Sequence, residues 1–468
     1  MRNTVLWPVL FALVLGFGSV GAAPSTQAPS LQVPASGVIG VTDAQLSPDF
    51  WIARLPNANA PIMTRAELHA ANGQRLRLEP SLHDLAALPD ALSRRAVLDL
   101  IGRVSRLPRV PVFDVRGQPI PDSTLASLLD GLALDRVPEQ VMPRFGLIVD
   151  RASLRALPTE LGAFTTRGDI DIDRFQETAE FPGTPVAVVH ETADGQWLFV
   201  ISPRYAAWTR RVHVALGTRA EVLAYAARTP FRVVTGARVE TVETPEAPQV
   251  SRRELDMTSR VPLAMPLAPE QPVNGQAAYA GWMVELPIRK EDGALGFQPA
   301  LIQKNADTHA GYLPYTRADL IRQAFKFLGE RYGWGHLHGG RDCSGFISEV
   351  FGSMGLLLPR NTGDQAKGTG FAHRLFDAGD SHAARLAAAR ALQVGDRVYI
   401  PGHVLLVIGR LHGQPYVIHD VVDMRYRRAD GSIAWIKLNS VAVTPLLPLL
   451  GEDGVSYVDR MTSIVRMR

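Results

Sequence analysis

A single cysteine, Cys343, in 468 residues is the scarcest feature of this chain. One thiol excludes an internal disulfide, so stability has to come from ordinary burial, which a chain of this length supplies through several domains of roughly 100 to 150 residues each. Charge of one sign is equally scarce. Lys and Arg number 49 against 46 Asp and Glu, a formal net charge of +3, which gives no footing for nucleic acid. No H-E-x-x-H and no paired-cysteine pattern occurs, so a zinc centre has no recognisable ligand set. Beyond the N-terminus no stretch is long and apolar enough to span a bilayer.

What is present starts with Arg2 ahead of an apolar run from Val5 to Val20 that ends in Gly21, Ala22 and Ala23. The run is short for a membrane span and reads as a signal peptide over residues 1–23. A lipid anchor would need a cysteine at the new N-terminus, so the expected product is exported, periplasmic or secreted, without a membrane anchor. A Pro, Ser and Ala-rich linker is expected over 24–41. Residues 42–144 read as a helical N-terminal unit, with Leu92, Ala96, Leu100 and Val104 on one face. From Phe145 the texture changes to short branched and aromatic runs broken by turns such as Asp194-Gly195. Two small β-barrels in series, 145–222 and 223–305, are the economical reading.

The last segment, 306–468, turns helical again. Thr316 is a candidate N-cap ahead of the stripe Leu320, Ile321, Ala324, Phe325, Phe327 and Leu328. A glycine-dense loop follows, with Gly333, Gly335, Gly339 and Gly340, and then Asp342-Cys343-Ser344-Gly345. Phe346, Ile347, Val350, Phe351 and Met354 make the next amphipathic helix, so Asp342 is its expected N-cap and Cys343 lies in its first turn. A helix start favours an anion, and thiols so placed reach pKa values of about 3.5 to 7.5.

A nucleophilic thiol needs a base and a group to orient it. Among twelve histidines, His403 heads the strand-like "HVLLVIG" and His419 ends "YVIHD". A turn centred at Leu411 puts the two directly opposite each other on one face. His336 and His338 are nearer in sequence and stand as a rival base or, with Cys343, as a metal site; distant members are the commoner arrangement in triads.

The ordered stretches "YGWGHLHGGRDCSGF", "LLLPRNTGDQ", "VGDRVYIPGHVLLVIG" and "YVIHD" closely resemble the NlpC-type cell-wall cysteine peptidases, a papain-like group, over about 150 residues. "DGQWLFVISPRYAAWTRR", with Trp197, Tyr205 and Trp208, resembles the bacterial SH3-like domain, although the same aromatics also suit a barrel core. The resemblance implies an α+β chain: a papain-like catalytic domain behind two SH3-like barrels and the helical N-terminal unit. It implies Cys343 as nucleophile, His403 as base and His419 as orienting residue, with Tyr332, Asp342, Ser344 and Thr362 binding substrate. Thr362 stands where the family has serine, and His336 where it has a second glycine. No cofactor or metal is implied. The implied substrate is the peptidoglycan stem peptide, cut at the γ-D-glutamyl bond to the diamino acid, with a free L-alanine amine contacted by an acid. A non-catalytic wall-binding scaffold, or an amidase or acyltransferase on the same fold, are the competing readings.

Overall fold

The computed structural model describes residues 31–32, 37–268 and 270–468. The expected signal peptide lies outside the described residues. The linker is shorter than expected: Val41 is packed into the C-terminal core and the Tyr416 hydroxyl donates to the Gly40 carbonyl at 2.7 Å.

The expected helical unit of 42–144 does not have a core of its own. Its first half joins the C-terminal domain. Trp51 packs on Gly409, where a Cβ would lie 2.3 Å from the indole, and α1 (Arg65–Leu78) follows, started by a capping box between Thr64 and Glu67. Arg65 donates to the Met354 carbonyl at 2.7 Å and Arg75 to the Leu357 carbonyl at 3.1 Å, stitching α1 to that domain. The second half joins the barrel. In α2 (Arg94–Val104), capped by Ser93, the buried face centres on Val97 and Ile101, offset from the expected Ala96 and Leu100, and both pack into the barrel core.

That barrel is a seven-stranded sheet of β1 (Arg144–Ile148), β2 (Ala152–Arg155), β3 (Gln176–Glu180), β4 (Pro185–Glu191), β5 (Trp197–Ile201), β6 (Ala206–Arg210) and β7 (Val214–Gly217), ordered β3-β2-β6-β5-β4-β1-β7. Trp197 and Trp208 are core residues, the latter donating to Ser105 at the end of α2 at 3.0 Å. A second β module follows: β8 (Phe231–Val234), β9 (Arg238–Glu240), β10 (Glu254–Asp256), β11 (Arg260–Pro262), β12 (Gly281–Arg289), β13 (Leu295–Gln303) and β14 (Thr308–Ala310). They form small sheets β11-β8-β14, β9-β10 and β12-β13 around a separate core that includes Val250, Leu255 and Val284. β14 extends the module past residue 305.

The C-terminal domain sets helices against one sheet. Thr316 caps α3 (Arg317–Phe325), accepting the Asp319 N–H at 3.0 Å. Next come α4 (Cys343–Gly352), the short α5 (Thr362–Ala366), β15 (His373–Leu375), β16 (Arg397–Ile400), β17 (His403–Leu411), β18 (Gln414–Arg427), β19 (Ile433–Pro445) and β20 (Ser463–Val465), with sheet order β15-β20-β16-β17-β18-β19. Phe346, Ile347 and Val350 of α4 pack on Val404, Leu406 and Ile418, which places the start of α4 over the start of β17. Burying these aliphatic and aromatic side chains, at about 1.5 to 3 kcal/mol each, sets the position of the cysteine.

Candidate active site

Cys343 opens α4 for local reasons. Asp342 has extended backbone and its carboxylate accepts the Gly345 N–H at 2.8 Å, so the chain becomes helical at the cysteine. The loop before it is glycine-dense because its ends touch backbone to backbone: a Cβ on Gly333 would sit 2.3 Å from the Leu337 carbonyl oxygen and 2.8 Å from Gly340 Cα. Cys343 is 5% exposed. Its sulfur lies 3.9 Å from the Gly402 carbonyl and also meets the Val404 N–H, so it rests against the backbone on both sides of His403. The Thr362 hydroxyl, at the start of α5, is 3.7 Å away.

His403 Nε2 stands 2.8 Å from His419 Nδ1, and His419 Nε2 stands 3.0 Å from Thr444 Oγ1 of β19. The strands reach this by a different register from the one expected. They turn at His412-Gly413, both with positive φ, as in a two-residue type I′ hairpin with Leu411 opposite Gln414, and a bulge intervenes between Val407 and Gly409. Continuing from Leu406 opposite Ile418, His419 faces Leu405, and His403 stands two residues along on the same face. The imidazoles therefore meet diagonally rather than as direct cross-strand partners. Thr444 was missed by sequence reasoning. Its only sequence signal is a hydroxyl at the end of the apolar run Val441–Val443.

His336, the rival base, is committed elsewhere. It takes positive φ (66°), and its Nε2 is 2.7 Å from Glu349 while its Nδ1 is 3.2 Å from Arg360. Both ring nitrogens are engaged, so it can neither accept the thiol proton nor ligate. Asp342 is equally occupied: beyond Gly345 it accepts the Gly335 N–H at 2.9 Å and pairs with Arg360 at 2.7 Å. The Ser344 hydroxyl accepts from Arg360 at 2.9 Å. Both residues were expected to touch substrate, and both are turned into this network. Tyr332 is 7% exposed, and the field of Cys343, after burial, is the largest contribution raising its phenol well above its usual value.

The barrel supplies a wall that the sequence did not announce. Arg360 Nε donates to Thr178 of β3 at 2.7 Å, the Trp334 indole donates to the Gln176 carbonyl at 3.0 Å, and Gln176 returns a bond to the Gly335 carbonyl at 2.8 Å. Next to Thr178, the Glu177 carboxylate accepts from the Tyr205 hydroxyl, and Tyr205 borders a cavity of about 330 Å³ with Arg204, Arg360 and Asn361.

The electrostatics reverse one expectation. The helix start was expected to depress the thiol, but burial, reinforced by the Asp342 carboxylate, pushes Cys343 up to about 12. Burial pulls His403 down to about 4, and burial together with His403 pulls His419 well below its usual value. Asp342 is pushed up by burial, and Arg360, His336 and the Gly345 N–H together pull it down to about 2. Desolvation outweighs the helix dipole, whose contribution of about 0.3 to 1 kcal/mol at exposed sites is small beside the cost of burying an ion. The closed site therefore holds a neutral thiol and neutral imidazoles over an ionised aspartate.

Residues 329–431 match the NlpC/P60 family, and residues 163–210 match the SH3 domain of SH3b1 type. A 53-residue stretch is 47% identical to the γ-D-glutamyl-L-lysine dipeptidyl-peptidase of Bacillus subtilis, over 11% of this chain and 18% of that relative. The chain thus spans less than a fifth of that curated relative's length in the match. The solved structure of an NlpC/P60 endopeptidase from Photobacterium damselae subsp. piscicida superposes with a TM-score of 0.66 at 15% identity, over 85% of this chain and 90% of that one. An NlpC/P60 family protein from Bacillus cereus is 22% identical over 62% of this chain and 82% of its own, with a TM-score of 0.40. The first superposition extends well beyond the C-terminal domain, so the shared fold includes the preceding modules.

Proposed function

We propose that this chain, which carries an NlpC/P60 domain behind an SH3-like domain, is a cell-wall cysteine peptidase acting on peptidoglycan stem peptides at the γ-D-glutamyl bond to the diamino acid. The observation that carries the reading is a lone sulfur at a helix start, against the backbone of an imidazole that a second imidazole holds at 2.8 Å. No helix among the described residues is long and apolar enough to cross a membrane.

The reaction begins from the neutral pair. If His419 Nε2–H donates to Thr444 and His403 Nε2–H donates to His419 Nδ1, then His403 Nδ1 carries a lone pair for the thiol proton. The sulfur attacks the γ-carbonyl carbon as that proton passes to His403, so charge develops only as the bond forms. The Cys343 backbone N–H, at the free end of α4, is the oxyanion donor, a role worth about 2.7 to 4 kcal/mol. The imidazolium returns its proton to the amine of the departing diamino acid. A water, deprotonated by His403, then releases the γ-D-glutamyl acyl group from sulfur. Because Asp342 is bound to Arg360, the acid for a free L-alanine amine is Glu177 on the barrel, beside Tyr205.

Digestion of muropeptides with product identification by mass spectrometry tests this reading. New dipeptides ending in D-glutamate support it; wall binding without cleavage points to a scaffold, and release of the sugar from the peptide points to an amidase. Replacing Cys343→Ser should abolish cleavage and leave binding intact.

A further inference from the structure

The second β module has no part in the chemistry described so far, yet one of its side chains reaches the residue next to the aspartate that caps the cysteine helix. Asp256, at the end of β10, is fully buried and lies 2.9 Å from Arg341 Nη2. Arg341 is fully buried as well, and every guanidinium nitrogen is used. Its Nε donates to Glu349 of α4 at 2.6 Å, its Nη1 to both oxygens of Glu330 at 2.7 and 2.9 Å, and its Nη2 also to the Ala237 carbonyl at 3.0 Å. On its outer side, Asp256 stands 3.3 Å from Arg151 of the first barrel and 3.8 Å from Arg238. With Glu254, which pairs with Arg238 at 3.6 Å, three arginines and four carboxylates thus form a cluster fed by all the folded units.

We propose that Asp256 is a positioning residue for catalysis, and that the second β module acts as a clamp on the Arg341-Asp342-Cys343 turn. The argument is geometric. Arg341 cannot move without breaking bonds to α4, to the Glu330 loop and to the second module together. Its Cα is two residues from the nucleophile, and Glu349 also holds His336, which borders Arg360 and Asp342. Planar, multidentate pairing of this kind fixes orientation as well as distance. Truncating one partner of a buried set leaves an uncompensated charge that the turn relieves by shifting, and displacements of about 1 Å at a nucleophile cost on the order of a hundredfold in rate. The clamp is expected to act on kcat, because neither Asp256 nor Arg341 faces a substrate. The proposal rests on Cys343 being the nucleophile.

The test uses the full chain and the tripeptide L-Ala-γ-D-Glu-meso-diaminopimelate. Asp256→Asn keeps the shape and removes the charge. It should lower kcat about tenfold or more with KM within about threefold, and change the rate at which iodoacetamide labels Cys343, the only thiol in the chain. Asp307→Asn is the control, since it breaks the Lys326–Asp307 bridge at the same joint, 2.6 Å long and outside the cluster. It should leave kcat and labelling unchanged. Equal losses in both variants, or an Asp256→Asn enzyme with wild-type kcat, overturn the clamp. If Asp256→Asn does not fold, Arg151→Gln, which leaves the Arg341 bonds in place, should give a smaller loss in kcat at constant KM; no loss there overturns the clamp as well. A wild-type chain that cleaves no tripeptide counts against the proposed function instead, and the labelling arm still reads the clamp.

Discussion

His336 and His403 make a controlled comparison within one domain. His336 is buried and His403 half-buried, and desolvation pulls each down to about 4. His336 is seven residues from the cysteine by chain numbering and His403 is sixty away, yet the nearer ring has both nitrogens taken, by Glu349 and Arg360. The farther ring is held on one nitrogen by His419. What separates a structural histidine from a candidate base here is therefore not proximity along the chain but the number of nitrogens left free. The same contrast applies to carboxylates: Asp342 is saturated, whereas Glu177 has one phenol partner, Tyr205, which borders a cavity.

The sharpest way to break the comparison is to remove each ring. His403→Ala should fold normally and lose cleavage by about four orders of magnitude in kcat, as for other catalytic bases; retained turnover would make His336 the base after all. His336→Ala should instead lower stability by about 2 to 4 kcal/mol in chemical denaturation, because Arg360 and Glu349 lose a buried partner, while the folded fraction loses far less turnover than the His403→Ala enzyme.

His419→Ala should cost about a hundredfold in kcat, and Thr444→Val less, about three- to tenfold, because each step outward only orients the ring before it. A Thr444→Val loss larger than that of His419→Ala would contradict the proposed direction of the relay.

Acid titration sharpens the comparison further. The folded His336 value of about 4 lies below its ordinary 6.5, so the unfolded chain binds more protons between those values. Its contribution to stability is complete above about 6.5 and falls as pH drops toward 4. Asp342, at about 2 against an ordinary 3.8, contributes in full above 3.8 and loses its share between 3.8 and 2. The acid limb of kcat/KM should follow His403 and lie near pH 4 rather than 6.5. Labelling of Cys343 by iodoacetamide should be slow at pH 7 and rise toward high pH. Rapid labelling below pH 7 would restore the ion pair that the helix start suggested.

Glu177→Gln tests the carboxylate side of the comparison through KM. KM for a stem peptide with a free L-alanine amine should rise about tenfold, with no change for the N-acetylated peptide.

Much of the C-terminal domain was legible because its signals are local. The Asp342 cap, the amphipathic run after Cys343 and the Thr316 helix start need only neighbours within a turn, and all are present. The same-face placement of His403 and His419 survived a wrong register, since the misplacement of the turn and the bulge together shifted the pairing by two residues, which preserves the face. The N-terminal unit was misread because helical periodicity says which face is apolar but not which core will cover it. Half of its helices found the C-terminal domain and half the barrel.

The sequence by itself determined where a reactive sulfur could stand and which strands could carry a base, because capping, periodicity and turn chemistry act over a few residues. Only the tertiary structure decided that the thiol is raised rather than lowered, that Asp342 is bound to Arg360, and that Thr178, Glu177 and Asp256 approach from other modules. Desolvation and ion pairing depend on what chain folding brings within a few ångströms, and no local pattern carries that information.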